Sequence, residues 1–177
     1  MEFLKLKNNL ISVIKEAQIK IGYDSMPISF NYVTTSLRHL LNECDEHEIL
    51  PLLKQFAQEY KEIFGQIDIA KTDNGYRLTI PEKGVDYVHS ILDENEFLVK
   101  FIENVRKIDC TIHDVVDIFK SYNENVHFEK TDDNSEFDYL IYFEDGTPDA
   151  FWYCLDDDDF GFVYHRFTKE DYLDFHF

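Results

Sequence analysis

The feature that most constrains the fold is a change in hydrophobic period near residue 125. Before this point, apolar residues recur at helical spacing; after it they alternate, which indicates half-buried strands. Four strands are predicted, in the segments VHFEK, EFDYLIYFE, AFWYCL and FGFVYHRF, and they are expected to form an antiparallel meander. The chain is therefore predicted to have an α+β fold in which this sheet packs on helices.

Helices and one β-hairpin are predicted before the sheet. Helical spacing predicts helices over residues 3–21, 34–41, 51–64, 84–92, 95–108 and 112–121, and a last one over 169–175. Residues 23–33 keep no period and are predicted to be irregular. Thr34 or Thr35 is expected to cap the second helix, and Pro51 to occupy the first position of the third, which Gly65 ends. Two more caps are predicted: Thr111 with Asp114 before the helix over 112–121, and Thr168 with Asp171 before the last. The segments QIDIAK and YRLTI are expected to form a hairpin around the turn TDNG.

Three helices followed by a hairpin suggest a winged-helix arrangement for residues 1–92. The run GYRLTIPEKGVDYV (75–88) also resembles the exit of the wing in such proteins. The helix over residues 51–64 would be the recognition helix, and it exposes two lysines against two glutamates. DNA-reading helices usually present Arg, Lys, Asn or Gln without offsetting acids, so direct nucleic-acid binding is disfavoured.

Charge divides the chain into two parts. The net charge is −19; residues 1–92 contain 10 basic and 13 acidic side chains, whereas residues 93–177 contain 7 and 23. We expect two domains with these bounds, although one continuous core is an alternative. Nucleic-acid affinity comes mainly from Lys and Arg at phosphates, so the second part would repel a duplex. Its acidity serves solubility, attracts a basic protein, or imitates DNA towards a DNA-binding partner.

The run DDDD at residues 156–159 raises the question of a metal loop. Asp156, Asp158 and Gly161 fit the first, third and sixth positions of an EF-hand. Phe160 and Phe167 occupy the fifth and twelfth positions and do not fit, so no metal site is predicted. The run is interpreted as a hairpin tip, whose charges discourage stacking with other strand edges.

Catalytic chemistry finds little support in the sequence. His165 and Arg166 are adjacent on a strand and must point to opposite faces, so Arg166 is predicted to pair with Asp138 or Glu144. His127 and His165 lie on different strands, and their side chains could meet across the sheet. No phosphate-binding loop, dinucleotide fingerprint or nucleophile elbow is present, so no catalytic residue and no cofactor are predicted. Enzymatic activity is neither assigned nor excluded, and the sequence favours a protein without it.

Cysteine usage points to a reducing compartment. Cys44, Cys110 and Cys154 are an odd set without close spacing, which predicts free thiols in a cytoplasmic protein. The amphipathic N-terminus lacks the features of a signal peptide, and no apolar run is long enough to span a membrane.

Both faces of the predicted sheet are apolar. In the segment EFDYLIYFE, alternation puts Phe137, Tyr139, Ile141 and Phe143 on one face and Leu140 and Tyr142 on the other. In the segment FWYCL, it puts Phe151, Tyr153 and Leu155 on one face, with Trp152 and Cys154 opposite. Helices 112–121 and 169–174 are predicted to cover one face. The other face needs the N-terminal half or a second copy of the chain. The resulting pocket or interface candidates are His127, Asp138, Tyr142, Trp152, His165 and Arg166.

Three segments carry a family resemblance. VIKEAQIKIGY (13–23), EFDYLIYFEDGTPDAFWYC (136–154) and VYHRFTKEDYLDF (163–175) resemble a family of acidic bacterial proteins of about this length, without assigned function, mainly from anaerobic Gram-positive bacteria. The resemblance covers most of the chain. It implies a bacterial cytoplasmic protein and assigns no catalytic residue.

The sequence thus favours a non-enzymatic protein-interaction module that self-associates through its aromatic sheet. Two alternatives stay open. The first is an acidic inhibitor or immunity-type partner of a basic protein, which would present its acids on one contiguous face. The second is an enzyme with a pocket between the two halves, in which His127, His165 or Arg166 would line a deep cleft. No membrane association is expected.

Overall fold

The computed structural model describes residues 3–132 and 135–175. Contacts between Cα atoms divide the chain into two compact units, Met1–Leu92 and Asp93–Phe177, called here the N-terminal unit and the C-terminal unit. The structure has the predicted α+β composition. In the described residues, no helix combines the length and apolar character that crossing a bilayer would require.

The N-terminal unit contains helices and one three-stranded sheet. Its elements are α1 (Leu4–Ile21), β1 (Ile28–Val33), α2 (Thr34–Leu40), a 3₁₀ turn (Glu46–Glu48), α3 (Ile49–Glu59), α4 (Lys61–Phe64), β2 (Asp68–Lys71), β3 (Gly75–Ile80) and α5 (Glu82–Ser90). Strand β3 lies between β1 and β2, and both pairings are antiparallel. The predicted hairpin is therefore confirmed, and the apolar side of this sheet joins the helices in one core.

Strand β1 corrects the prediction that residues 23–33 are irregular. Ile28, Phe30 and Tyr32 are half-buried and pack against the core, while Ser29 and Asn31 are exposed. The period of two is real but covers only six residues. It lies directly after Pro27, so the alternation was too short to stand out from the sequence.

The ends of α2 and α3 also differ from the prediction. Neither Thr34 nor Thr35 precedes α2; Val33 does, and the Thr34 hydroxyl donates to the Asn74 carbonyl at 3.1 Å. Helix α3 begins at Ile49, which puts Pro51 at its third position rather than its first. Proline is tolerated there because the first four amides of a helix have no intrahelical acceptor.

The predicted helix over 51–64 is broken at one residue. Tyr60 separates α3 from α4, and Gly65 ends α4 with a positive φ of 78°, as its predicted place after the last helical residue requires. Helix α1 ends similarly at Gly22, where φ is 90°. The turn at Tyr60 lets Phe56 and Phe64 both reach the core.

The C-terminal unit is a four-stranded meander with three helices. Its elements are α6 (Phe97–Val105), α7 (Ile112–Tyr122), β4 (Val126–Lys130), β5 (Tyr139–Phe143), β6 (Trp152–Asp158), β7 (Gly161–Phe167) and α8 (Lys169–Phe175). The strands are antiparallel and lie in chain order, which confirms the predicted meander. Asp158 pairs with Gly161, so the hairpin tip is Asp159 and Phe160, and the first three aspartates of the run belong to β6.

A predicted capping box starts α7. The Thr111 hydroxyl accepts from the Asp114 amide, and Asp114 Oδ2 accepts from the Thr111 amide at 2.8 Å. The Thr111 hydroxyl also donates to Asp114 Oδ2 at 2.7 Å, and this bond, followed by the one from the Thr111 amide, lowers the pKa of the Asp114 carboxyl. The amide donors at the start of the helix are thus satisfied within the motif itself.

One face of the meander, called here the inner face, is covered by α6 and α7. Phe97 and Phe119 pack on Phe143 with ring centroids 4.9 and 4.8 Å apart, and Phe101 packs on Tyr153 at 4.7 Å. All five rings are buried. This cluster of aromatic rings is the main core of the C-terminal unit.

Candidate interaction surface on the C-terminal sheet

The opposite side of the meander, called here the outer face, gathers most of the predicted candidate residues. Four side chains lie side by side across the strands and form what we call the aromatic row: His127, Tyr142, Trp152 and Phe167. His127 is in register with Tyr142, and Trp152 with Phe167. Each of the four is half-buried.

Ring stacking organises the aromatic row. The centroids of His127 and Tyr142 are 4.7 Å apart, and those of Tyr142 and Trp152 are 4.0 Å apart with an interplanar angle of 3°. Neighbouring strands lie about 4.8 Å apart, so rings that stand upright on adjacent strands stack face to face. Tyr142 is therefore stacked between His127 and Trp152, and all three residues stay half-buried.

A second row, next to the aromatic row, is apolar at its centre. Leu140 and Cys154 are buried and form a small cluster with Phe137. Phe137 lies before β5 and joins this face, which corrects its predicted assignment to the inner face. Desolvation, and secondarily the charge of Asp156, raises the pKa of the Cys154 thiol to about 12. The thiol is therefore protonated at neutral pH and is not a nucleophile.

Carboxylates surround these two rows. Glu129 lies on β4 at the edge of the sheet, and Asp138 accepts from the Asp157 amide at 2.9 Å. Desolvation and the charge of Asp138 raise the pKa of Asp156. Burial, followed by the charges of Glu129 and Glu144, raises the pKa of Tyr142. The edge of the outer face is thus strongly negative.

Helix α8 covers only part of the outer face. Its Tyr172 lies 5.1 Å from Trp152 between ring centroids, and the Thr168 hydroxyl accepts from the Asp171 amide at 3.1 Å, as the predicted cap requires. Leu173 and Phe175 are each about half exposed. A helix of seven residues cannot shield a four-stranded sheet.

The placement of α8 corrects the prediction that segments 112–121 and 169–174 cover the same face. Helix α7 packs on Phe143 and Tyr153 of the inner face, whereas Tyr172 of α8 packs on Trp152 of the outer face. The aromatic row stays half-buried, so α8 alone does not cover the outer face, and its cover by the N-terminal half or by a second copy of the chain stays a prediction.

Arg166 is separated from the other candidates. It lies on the inner side, where its side chain is 2% exposed, and it pairs with Asp149 at 2.9 Å rather than with Asp138 or Glu144. The Tyr153 hydroxyl donates to the same carboxylate oxygen at 2.7 Å. The guanidinium also stacks over the Phe151 ring at 4.2 Å. This arrangement neutralises a buried charge and is structural.

The two strand histidines do not meet. His127 is on β4 and His165 on β7, and these strands are the two edges of the meander. His127 Nε2 lies 3.2 Å from Glu129, while His165 is exposed beside Phe137. The geometry does not bring an acid, a base and Arg166 together at one point. Across residues 3–132 and 135–175, no group of three or more His, Cys, Asp and Glu side chains is placed to hold a metal ion.

Of the predicted candidates, His127, Tyr142, Trp152 and His165 therefore share the outer face with Asp138 at its acidic end, and Arg166 does not belong to it. Sequence reasoning missed Glu129, Phe137 and Tyr172. Alternation along β4 gave a signal for Glu129, which is two residues from His127. Tyr172 lies in the run YHRFTKEDY with His165 and Arg166, which was a signal for it, but its contact with Trp152 depends on where α8 folds back.

Comparisons with known proteins give one result. A family model described as "Domain of unknown function, E. rectale Gene description (DUF3877)" matches residues 3–176. No curated protein and no solved structure matches the chain.

Proposed function

The chain belongs to DUF3877, a bacterial family of unknown function as the sequence resemblance predicted, and from its own surfaces we propose that it is a non-enzymatic cytoplasmic interaction module that binds a basic protein partner on the outer face. The observation that carries this proposal is the half-buried aromatic row beneath a short helix, with carboxylates around it. Aromatic side chains supply contact area at interfaces, and a charged rim selects the partner.

Charge favours a basic partner over a second copy of the chain. The strand positions of the outer face, all within the described residues, contain no lysine and no arginine. Two copies joined by this face would bring Glu129, Asp138 and Asp156 against the same carboxylates. Such like-charge contacts oppose association, whereas lysines and arginines of a partner would neutralise them.

For the N-terminal unit we propose the predicted winged-helix topology. The order α1, β1, α2, α3, β2, β3 and the sheet order β1-β3-β2 support it. This is an argument about fold and assigns no activity, because the same fold hosts many functions.

The single tryptophan makes the proposal directly testable. Trp152 is the only tryptophan and lies within the aromatic row, so its fluorescence reports on the outer face. We expect an octalysine peptide to shift or quench this fluorescence at low salt, and an octaglutamate peptide to leave it unchanged. The response should disappear at about 1 M salt, where the Debye length is about 3 Å.

Matched variants test whether binding depends on the outer face or on the acidity of the whole chain. Glu129→Gln with Glu144→Gln removes two charges beside Tyr142 and should weaken octalysine binding. Glu94→Gln with Glu124→Gln removes two exposed charges elsewhere in the same unit and should not. Equal weakening by both pairs, or no fluorescence response, would contradict the proposal. If sedimentation shows a dimer and Trp152→Ala dissociates it, the result would instead support a second copy of the chain as the partner.

A further inference from the structure

The N-terminal unit contains a recess whose charge is opposite to that of the outer face. Helices α3 and α4 and strand β2 frame a cavity of about 270 Å³. Its polar lining consists of Lys54, Gln58, Lys61 and Gln66, and its apolar floor includes Ile67 and Ile69. We call it the basic recess.

The lysines of the basic recess lack carboxylate partners. Within the described residues, no ion pair joins Lys54 or Lys61 to an acid, although the chain has 36 acidic and 17 basic side chains. The glutamates next to them on the helices are engaged elsewhere. Glu62 pairs with Lys83 at 3.5 Å, and Glu59 lies beside the Tyr60 hydroxyl, where after burial it further raises the pKa of that group.

The recess adjoins a free strand edge. Strand β2 pairs only with β3 and is an edge of its sheet. The Thr72 amide donates to the Gly75 carbonyl at 2.9 Å, and pairing alternates along an antiparallel ladder. The backbone groups of Ile69 and Lys71 therefore face away from β3, and the Ile69 side chain lines the recess. An added strand would place alternate side chains over the recess.

We propose that an extended acidic peptide binds here by pairing with the free edge of β2. Only alternate side chains of the added strand face the recess, and these carry the carboxylates. The carboxylates contact the ammonium groups of Lys54 and Lys61, and the methylene groups of the same side chains rest on Ile67 and Ile69. Nucleic acid fits less well, because its affinity grows with the number of phosphates neutralised by Lys and Arg, and two lysines neutralise few. This site lies on another surface and does not depend on the outer face.

The binding test uses the full chain and a fluorescein-labelled peptide of four Glu-Val repeats, followed by anisotropy. Lys54→Gln with Lys61→Gln should weaken binding roughly tenfold, as expected for the loss of two exposed charge contacts. Lys5→Gln with Lys20→Gln removes two exposed lysines of α1 and should change nothing. Equal weakening by both pairs, or no binding to the parent chain, overturns the proposal.

Backbone pairing is tested with N-methylated peptides. Methyl groups on all the glutamates or on all the valines block opposite edges of the added strand. One of these peptides should lose binding and the other should retain it. Equal binding of both shows that the strand edge is not used and overturns the proposal. A labelled DNA duplex that binds more tightly than the peptide, and depends on Lys54 and Lys61, overturns the choice of ligand.

Discussion

The two faces of the C-terminal sheet come from the same strands and yet differ in burial and in charge. On the inner face, Ile141, Tyr153 and Leu155 are fully buried beneath α6 and α7. On the outer face, Tyr142 and Trp152 are half-buried beside α8. Composition does not explain the difference, since both faces are aromatic. The covering helices explain the difference in burial, because α6 and α7 together contain 20 residues whereas α8 contains seven.

Electrostatics separates the two faces in the same way. The inner side neutralises the buried Arg166 guanidinium within the chain, through its pair with Asp149. The outer face holds carboxylates close together, and desolvation, followed by the charge of Asp138, raises the pKa of Asp156. The buried charge of the inner face is therefore paired within the chain, whereas the strand positions of the outer face, all in the part of the chain that the structure describes, offer no lysine or arginine to its carboxylates. The outer face is the one available to a partner.

The largest expected effect tests the inner face. Phe119→Ala removes a fully buried ring that contacts Phe97 and Phe143, and it should cost about 3–5 kcal/mol in the free energy of unfolding. Urea titration followed by Trp152 fluorescence measures this change. Phe128→Ala, at a ring that is 40% exposed, should cost less than about 1 kcal/mol. Similar costs for the two variants would contradict the assignment of Phe119 to the core.

The buried ion pair should rank next. Asp149→Asn leaves the Arg166 guanidinium buried without its counter-charge, and we expect a loss of about 3 kcal/mol. The double variant Asp149→Leu with Arg166→Met should recover much of that loss, because apolar residues of similar size can replace a buried pair. If the double variant is less stable than Asp149→Asn, the pair contributes more than charge neutralisation.

A smaller effect is expected on the outer face. Tyr142→Ala removes a half-buried ring from the aromatic row and should cost about 1–2 kcal/mol, well below the cost of Phe119→Ala. Far-UV circular dichroism is the appropriate measurement, since loss of the stacked ring alters Trp152 emission directly. A cost as large as that of Phe119→Ala would make the outer face a second core and remove the difference between the faces.

The smallest expected effect is a gain in stability, whereas the variants above lose stability. The pKa of the Asp156 carboxyl is raised in the folded state, so its protonation favours folding. The stabilisation that protonation provides is fully present below the unfolded pKa and is lost as pH rises through the folded pKa. Asp156→Asn should therefore raise the melting temperature slightly at pH 7, and its advantage should vanish near pH 3, roughly one unit below a carboxyl's usual pKa. Asp117→Asn, at an exposed position of α7, controls for net charge. A melting temperature lowered at pH 7 would contradict the pKa direction.

Local patterns explain which elements could be predicted. Alternation identified all four strands of the meander, and the Thr111–Asp114 motif identified the start of α7. Strand β1 was missed because its period of two covers six residues beside a proline. The partner of Arg166 was missed because Asp149 lies in the connection before β6, and strand register says nothing about where such a side chain points.

The sequence by itself determined the type of nearly every element, the apolar character of both sheet faces and the excess of acid in the C-terminal unit, because each of these depends on near neighbours or on composition. Only the tertiary structure decided which face is covered, which carboxylate meets Arg166, and that Lys54 and Lys61 share a recess without an acid. These outcomes depend on where connections place distant segments. Loop paths are set by the packing of the whole unit, which spacing along the chain does not encode.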